Sequence, residues 1–167
     1  MKTIREQIIE RIIAQLETIT ISNGYHHDIG HKNVFRQEPI IQMGKTPAAS
    51  VWELSETRER NRYGGTIRIL TIRVECLVQP TDGRHPASIS NELLGDIEKA
   101  LIMGNLTLDE LIDDIQDISA EIITPTIDRR LGNVGVYQLP INRQLAGAAI
   151  EFEIRYTTEW GDPYTTQ

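Results

Sequence analysis

What the chain lacks narrows it first. Its 167 residues hold a single cysteine, Cys76, which excludes an intrachain disulfide framework and a multi-cysteine zinc site. Aromatic residues are only 5% of the chain. The longest stretch without a charge, Leu131 to Asn142, has 12 residues and contains a proline, whereas a spanning helix needs about 20 apolar residues. The opening Met1-Lys2-Thr3-Ile4-Arg5-Glu6 puts charges where a secretory signal has its apolar centre, so a soluble chain that stays in the cytoplasm is expected. Lysine is scarce: of 17 Lys and Arg residues, four are Lys. Positive charge is missing altogether from Ala100 to Ile127, a span that holds Asp109, Glu110, Asp113, Asp114, Asp117 and Glu121.

What is present is ordinary for a globular domain: 40% hydrophobic and 25% charged residues. One domain over 1–167 follows from the length, burying roughly 68–70% of its unfolded surface. Net charge is −7 and the pI about 5.1, against the basic balance of proteins that bind nucleic acid by neutralising phosphates. The charge is segregated, because the acidic span is answered by Arg58, Arg60, Arg62, Arg68 and Arg73. Solvated faces explain such a split, and so do complementary patches on identical subunits.

Periodicity predicts the elements. Ile4, Ile8, Ile12 and Leu16 form an apolar stripe at helical spacing, with Thr3 and Glu6 in a capping box, so a helix is expected over about 3–19. Residues 20–47, rich in Gly and Pro, read as a long loop region with a short strand over Val34–Gln37. Ala48–Glu56 and Thr66–Gln79 read as the arms of a long antiparallel hairpin with an exposed basic tip at 57–65. In the second arm the apolar parity switches from Ile67 and Ile69 to Leu70, Ile72, Val74, Cys76 and Val78. That implies a bulge near 69–70 or a segment apolar on both faces. A turn is expected over Pro80–Gly83, and Pro86 suits the start of a second helix that Gly104 ends. A third helix is expected from Thr107, with Leu108, Leu111, Ile112 and Ile115 inward and its acids outward. Ser119–Ile127 reads as an edge strand interrupted by Pro125, 131–144 as turn-rich, and 146–157 as a strand with one apolar and one charged face. Segregated elements of both kinds make an α+β fold, a mainly antiparallel sheet with helices on one face.

No residue pattern points to catalysis, and no cofactor is expected. His26, His27, Asp28 and His31 are of metal-ligating type, but Gly24 and Gly30 bracket them and no general-base glutamate accompanies them. They read as a solvated loop; a metal site is the lesser alternative. Cys76, on the apolar parity, reads as an inert core thiol. Neighbouring Asp113 and Asp114 would diverge on a helix. Gly64-Gly65 and Gly132-Asn-Val-Gly135 lack the strand-to-helix context of a phosphate loop. Trp52 reads as core, and Trp160, beyond the last strand, as an interface residue.

Four stretches carry a family likeness: Ile4-Arg-Glu-Gln-Ile-Ile-Glu-Arg-Ile-Ile, Pro47-Ala-Ala-Ser-Val-Trp-Glu, the strand Thr66–Gln79, and Glu151-Phe-Glu-Ile-Arg-Tyr-Thr-Thr-Glu-Trp-Gly-Asp-Pro-Tyr164. In order and pattern the chain resembles the tail terminator (tail completion) proteins of long-tailed bacteriophages, over nearly its whole length. The resemblance implies a structural virion protein without catalytic residues. Such a protein forms a homomeric ring, typically a hexamer, on the head-proximal end of the tail tube, stops tube growth and supports head-tail joining. The implied partners are the protein itself, the tail tube protein and a head-completion or neck protein, with DNA only passing through the lumen. The implied place is the virion tail at the head-tail interface. Candidate interface residues are Arg58, Arg60, Arg62 and Tyr63 of the tip and Trp160, Asp162 and Tyr164 of the closing stretch. Rival readings are another neck, head-completion or minor tail protein, and a small metal- or ligand-binding enzyme resting on the histidines.

Overall fold

A computed structural model describes residues 1–38, 45–80, 83–123 and 146–167. The expectations for 131–144, for Pro125 and for the middle of the 80–83 turn lie outside the described residues.

The first helix, α1, spans Ile4–Leu16 and buries Ile4, Ile8, Ile9, Ile12 and Leu16. Half of the expected capping box forms. Thr3 Oγ1 accepts the Glu6 N–H at 3.2 Å, while the Glu6 carboxylate turns to Arg36 instead, at 2.7 and 2.9 Å. The helix stops three residues earlier than expected, and Ile19 is still buried in the turns that follow. The carbonyl of Ile19 then accepts N–H groups from Ile29 and Gly30, at 2.9 and 3.0 Å, which closes residues 20–30 into a compact loop. The described part of the 20–47 region is therefore organised, with a short 3₁₀ turn at Ile21–Asn23 and the strand β1 at Val34–Arg36.

Strands β2 (Ala48–Arg60) and β3 (Gly65–Val78) make the long hairpin. The helix α2 (Pro86–Glu98) leads into a π-helical turn at Lys99–Met103, and Gly104 caps it as expected. Strands β4 (Asp114–Ile123) and β5 (Ala146–Glu159) complete one sheet of order β1-β2-β3-β5-β4. Only β1 and β2 pair in parallel; the other neighbours are antiparallel. The protein is a single α+β domain, a mostly antiparallel five-strand sheet with two helices packed against it. One core cluster joins α1 and α2 to the even-numbered residues of β3 and β5, from Leu70 to Val78 and from Ala146 to Tyr156. At the start of β5 the backbone is tight: a Cβ on Gly147 would lie 2.8 Å from Leu77 Cδ2 and 3.1 Å from Ile123 Cβ.

One choice between alternatives is settled and two expectations are corrected. β3 runs in unbroken register with β5 from Gly65↔Glu159 to Val78↔Ala146, so no bulge falls at 69–70. Its parity switch reflects a segment apolar on both faces, with Arg68 at the core-side position and Ile67 and Ile69 half-buried opposite; the bulge lies in β2, between Glu53 and Ser55. The unpaired tip is also shorter than 57–65, since strand pairing persists to Arg60↔Thr66, while Thr57, Arg58, Glu59 and Arg60 are exposed as expected. Finally, the span from Thr107 is not a helix. Glu110 N–H does reach Thr107 Oγ1 at 3.3 Å, but Leu108, Asp109 and Glu110 take φ values of 48°, 60° and 66°. Asn105 Oδ1 accepts the Asp109 N–H at 3.2 Å, a side-chain bond of the kind that competes with helix formation. From Asp114 the chain instead pairs with the free edge of β5, which satisfies backbone groups along both strands. The inward set survives the change, with Leu108, Ile112 and Ile115 buried and Leu111 packed against them.

Candidate interaction surface

The bulge in β2 sets the chemistry of one end of the sheet. It places Glu53 opposite Ile72 and Glu56 opposite Leu70, so both carboxylates share the core-side face with α1. Arg5 of α1 lies 3.4 Å from Glu53 and 3.8 Å from Glu56, and Arg36 of β1 lies 2.7 Å from Glu53. Glu56 is the hub. Its side chain is 3% exposed, accepts the Tyr156 hydroxyl at 2.6 Å and the Arg58 Nε–H at 2.7 Å, and meets Arg68 Nη1 at 3.3 Å. Buried Arg68 in turn donates to the buried Thr158 hydroxyl at 3.1 Å. Burial pushes the Glu56 carboxyl up, but the Tyr156 and Arg58 hydrogen bonds and the charges of Arg58 and Arg5 outweigh it, leaving it below its ordinary value. Burial, then the bond to Glu56, pushes the Tyr156 phenol well above its ordinary range.

Above this network lies an exposed rim. At the tip, Asn61 N–H donates to Gly65 O at 2.8 Å, and Asn61 Oδ1 accepts the Tyr63 N–H at 3.1 Å. The closing stretch folds back on β5: Glu159 N–H donates to Thr165 O at 3.0 Å and Gln167 N–H to Thr157 O at 3.1 Å. Gln167 also donates to the Tyr63 carbonyl at 3.2 Å, and Pro163 O accepts the Ile4 N–H at 2.9 Å. Hairpin tip, C-terminal tail and the start of α1 are thus tied together.

The structure brings the seven candidate interface residues to this one end. Trp160 is 63% exposed, Tyr63 78% and Tyr164 43%. The Arg60 guanidinium stacks on the Trp160 ring, 4.2 Å from its centroid. Arg62 is exposed and has no charged partner among the described residues. Asp162 acts locally, since its carboxylate accepts the Tyr164 N–H and the Thr165 hydroxyl, both at 2.8 Å, and so shapes the reversal of the chain. The backbone bond holds its carboxyl below the ordinary value.

Two expectations change here. Trp52 is half-buried on the sheet face away from the helices, outside the core cluster, and its buried Nε1 has no partner among the described residues. The histidine loop is not simply solvated, because His27 is only 9% exposed. Asp96 of α2, 1% exposed, accepts the N–H groups of His26 and His27 at 3.0 Å each, and the His26 ring Nδ1 lies 3.0 Å from it. Asp28 accepts the Ile21 N–H at 2.7 Å, and His31 Nδ1 sits 3.2 Å from Glu17. His27 Nε2 lies 3.3 Å from Glu92 without the alignment of a hydrogen bond, and burial holds the imidazole below its ordinary pKa despite Asp96 and Glu92. These side chains diverge to separate partners, and no group of three or more His, Cys, Asp or Glu could hold a metal ion among the described residues. Cys76 is fully buried, and that burial pushes its thiol far above its ordinary range.

Sequence reasoning missed Glu56, Arg68, Tyr156 and Asp96. The one local signal was a cation, Arg68, at an apolar parity position of β3. No protein-family model matches the chain, and no curated protein matches it.

Proposed function

We propose that this chain is a structural, non-catalytic virion subunit, a tail terminator. Copies of it form a ring, typically of six, on the head-proximal end of a phage tail tube. The ring ends tube growth and offers its other surface to a head-completion or neck protein, with DNA passing through the lumen. One observation carries the reading: α1, the β2–β3 hairpin, α2 and the long strand β5 follow the order on which the family resemblance rests.

The proportions support it. Strands of 13, 14 and 14 residues accompany helices of 13. A 14-residue strand reaches roughly 46 Å, whereas a 13-residue helix covers about 20 Å. The helices leave one end of the sheet to a polar network crowned by exposed Tyr63, Trp160 and Tyr164. Aromatic and arginine side chains of this kind are enriched at protein interfaces. A net charge of −7 suits a channel along which DNA slides without sticking.

Electron microscopy of the protein expressed with the tail tube protein of its particle tests the proposal. Rings at one tube end, and overlong tubes when the protein is withheld, are expected. Rings seated on the portal would favour a neck or head-completion role. Tubes of unchanged length with no ring on either end would overturn the reading.

A further inference from the structure

Among the described residues both edges of the sheet have open stretches, and toward the hairpin tip these differ in charge. On one side β1 covers only Ala49–Val51 of β2. Beyond it, from Trp52 to Arg60, the side of β2 away from β3 has no strand partner among the described residues. On the other side β4 pairs only with β5, so among the described residues the far side of its 10 residues is open. Open edges of this length are templates for strand addition. Neither carries a proline, and β4 leaves Ile118 and Ile122 exposed.

The regular parts of both edges fall at the same end of the sheet. β2 is regular from Ser55 onward, after its bulge, and β4 from Asp114 to Asp117, before its own. The ladder aligns Thr57 with Ile69, Ile69 with Arg155, and Arg155 with Asp114, so Thr57 and Asp114 lie on one row at opposite edges. From Thr57 to Arg62 stand Arg58, Arg60 and Arg62 against one acid, Glu59; from Glu110 to Asp117 stand Glu110, Asp113, Asp114 and Asp117 with no base. Direction fits too. β2, β3, β5 and β4 alternate in sense, so β2 and β4 run oppositely, and a second copy set edge to edge in the same orientation continues the antiparallel alternation.

We propose that the open edge of β2 in one copy adds to the open edge of β4 in the next, as antiparallel strands, with the Arg58 side of one copy meeting the Asp114 side of its neighbour. The partner is a second copy of this chain. Pairing of β4 with β4 is disfavoured, since it sets acid against acid. A contact between two different patches leaves one of each open, so it propagates head to tail and closes into a ring when the rotation allows. The inference rests on the ring reading above and names the surfaces that would make it.

Cysteine pairs test it. Thr57, Ser55 and Gln116 are exposed, and native Cys76 is buried and silent. Thr57→Cys/Gln116→Cys and Ser55→Cys/Gln116→Cys, oxidised at low salt and high protein concentration, are expected to give a covalent ladder that ends at the ring size. Each single variant alone should give no cross-link, and a mixture of two singles only dimers. Adding Asp114→Lys/Asp117→Lys should lower cross-linking by roughly tenfold or more. Native mass spectrometry and amide exchange of the wild-type protein separate the failures. Closed rings without a ladder, and without protection of the Asp114–Asp117 amides, would overturn the edge contact and leave the ring reading standing. Cross-linking of single variants would mean a two-fold contact and would also overturn it. A ladder that grows into open chains would keep the edge contact and sink the ring. Monomers with no ladder at any concentration would sink both.

Discussion

The same three strands end in two different chemistries. Toward the start of β5, their core-side face is apolar: Val74, Cys76, Ile150 and Phe152 alternate inward and meet the helices. Toward the hairpin tip, the same alternation continues with Glu56, Arg68, Tyr156 and Thr158. The first end is held by area removed from water, which is non-directional and tolerant of detail. The second is held by hydrogen bonds among buried polar groups, whose worth depends on each having its partner. A strand's period thus sets which face a residue takes, while the covering element sets what that residue must be. Where helices cover, the face is apolar; beyond them, charges neutralise one another and a rim of aromatics and arginines reaches solvent.

The largest expected effect lies at the covered end. Phe152→Ala removes a fully buried ring from the centre of β5. It should cost about 3–5 kcal/mol, seen as a loss of about 6–20 °C in Tm. Calorimetry checks it; a shift within error would mean that this end is not the stable one.

The polar end should break through its hub. Glu56→Ala leaves Arg68, 8% exposed, without its carboxylate and should cost about 3 kcal/mol in urea unfolding. Glu56→Gln sharpens the point through pH. The folded carboxyl lies below 4.5, its ordinary value, so both states are ionised at neutral pH and the stabilisation is fully present. As pH falls below that value the unfolded chain takes the proton first, and stability is lost until the folded group also titrates. The wild-type midpoint should therefore drop with acid more steeply than that of Glu56→Gln. Equal slopes would remove Glu56 from the hub.

How much of this could be read beforehand depended on the range of the cause. α1, the hairpin and β5 follow from local period, because Ile4, Ile8 and Ile12, or Phe152, Ile154 and Tyr156, repeat at spacings only one element satisfies. The stretch from Leu108 to Ile115 fits a helical face equally well as a turn followed by a strand, and the decision comes from β5, whose edge needs a partner. The β2 bulge left no apolar mark, because Leu54 is exposed there. Asp96 sits 69 residues from His27, so no reading of the histidine loop alone could place it. The seven candidate interface residues were found from exposed chemistry and a family likeness, and their convergence on one end is a product of the register.

His27 offers a smaller, graded test away from both ends. Burial holds its imidazole below 6.5, so the folded state keeps it neutral while the unfolded chain protonates first. Stability should fall as pH drops below that value, and His27→Gln should flatten the slope in that window. Asp96→Asn is the control: it keeps an acceptor for the His26 and His27 N–H groups, so the loop should stay docked and amide exchange there should stay slow. Fast exchange in Asp96→Asn would mean that the charge, and not the acceptor, holds the loop.

The smallest expected change in stability is at the rim, where the proposed role predicts the largest change in association. Arg58, Arg60 and Arg62 are exposed; Arg58 adds one bond to an already satisfied Glu56, and Arg60 rests on Trp160. Replacing all three by Ser should leave each site within about 0.5 kcal/mol of wild type, since exposed ion pairs and surface contacts contribute little. Removing three positive charges should nonetheless slow the encounter with an acidic edge and weaken the salt dependence of assembly, because charges at an interface rim act on association rate and specificity. The pair of measurements separates the two ends of the sheet: an unchanged Tm with assembly that is slower and less sensitive to salt marks the rim as a contact surface. An unchanged Tm with unchanged assembly would leave the arginines as solvated charge. A large loss of Tm would instead show that the rim belongs to the Glu56 network and that the division between the two ends has been drawn in the wrong place.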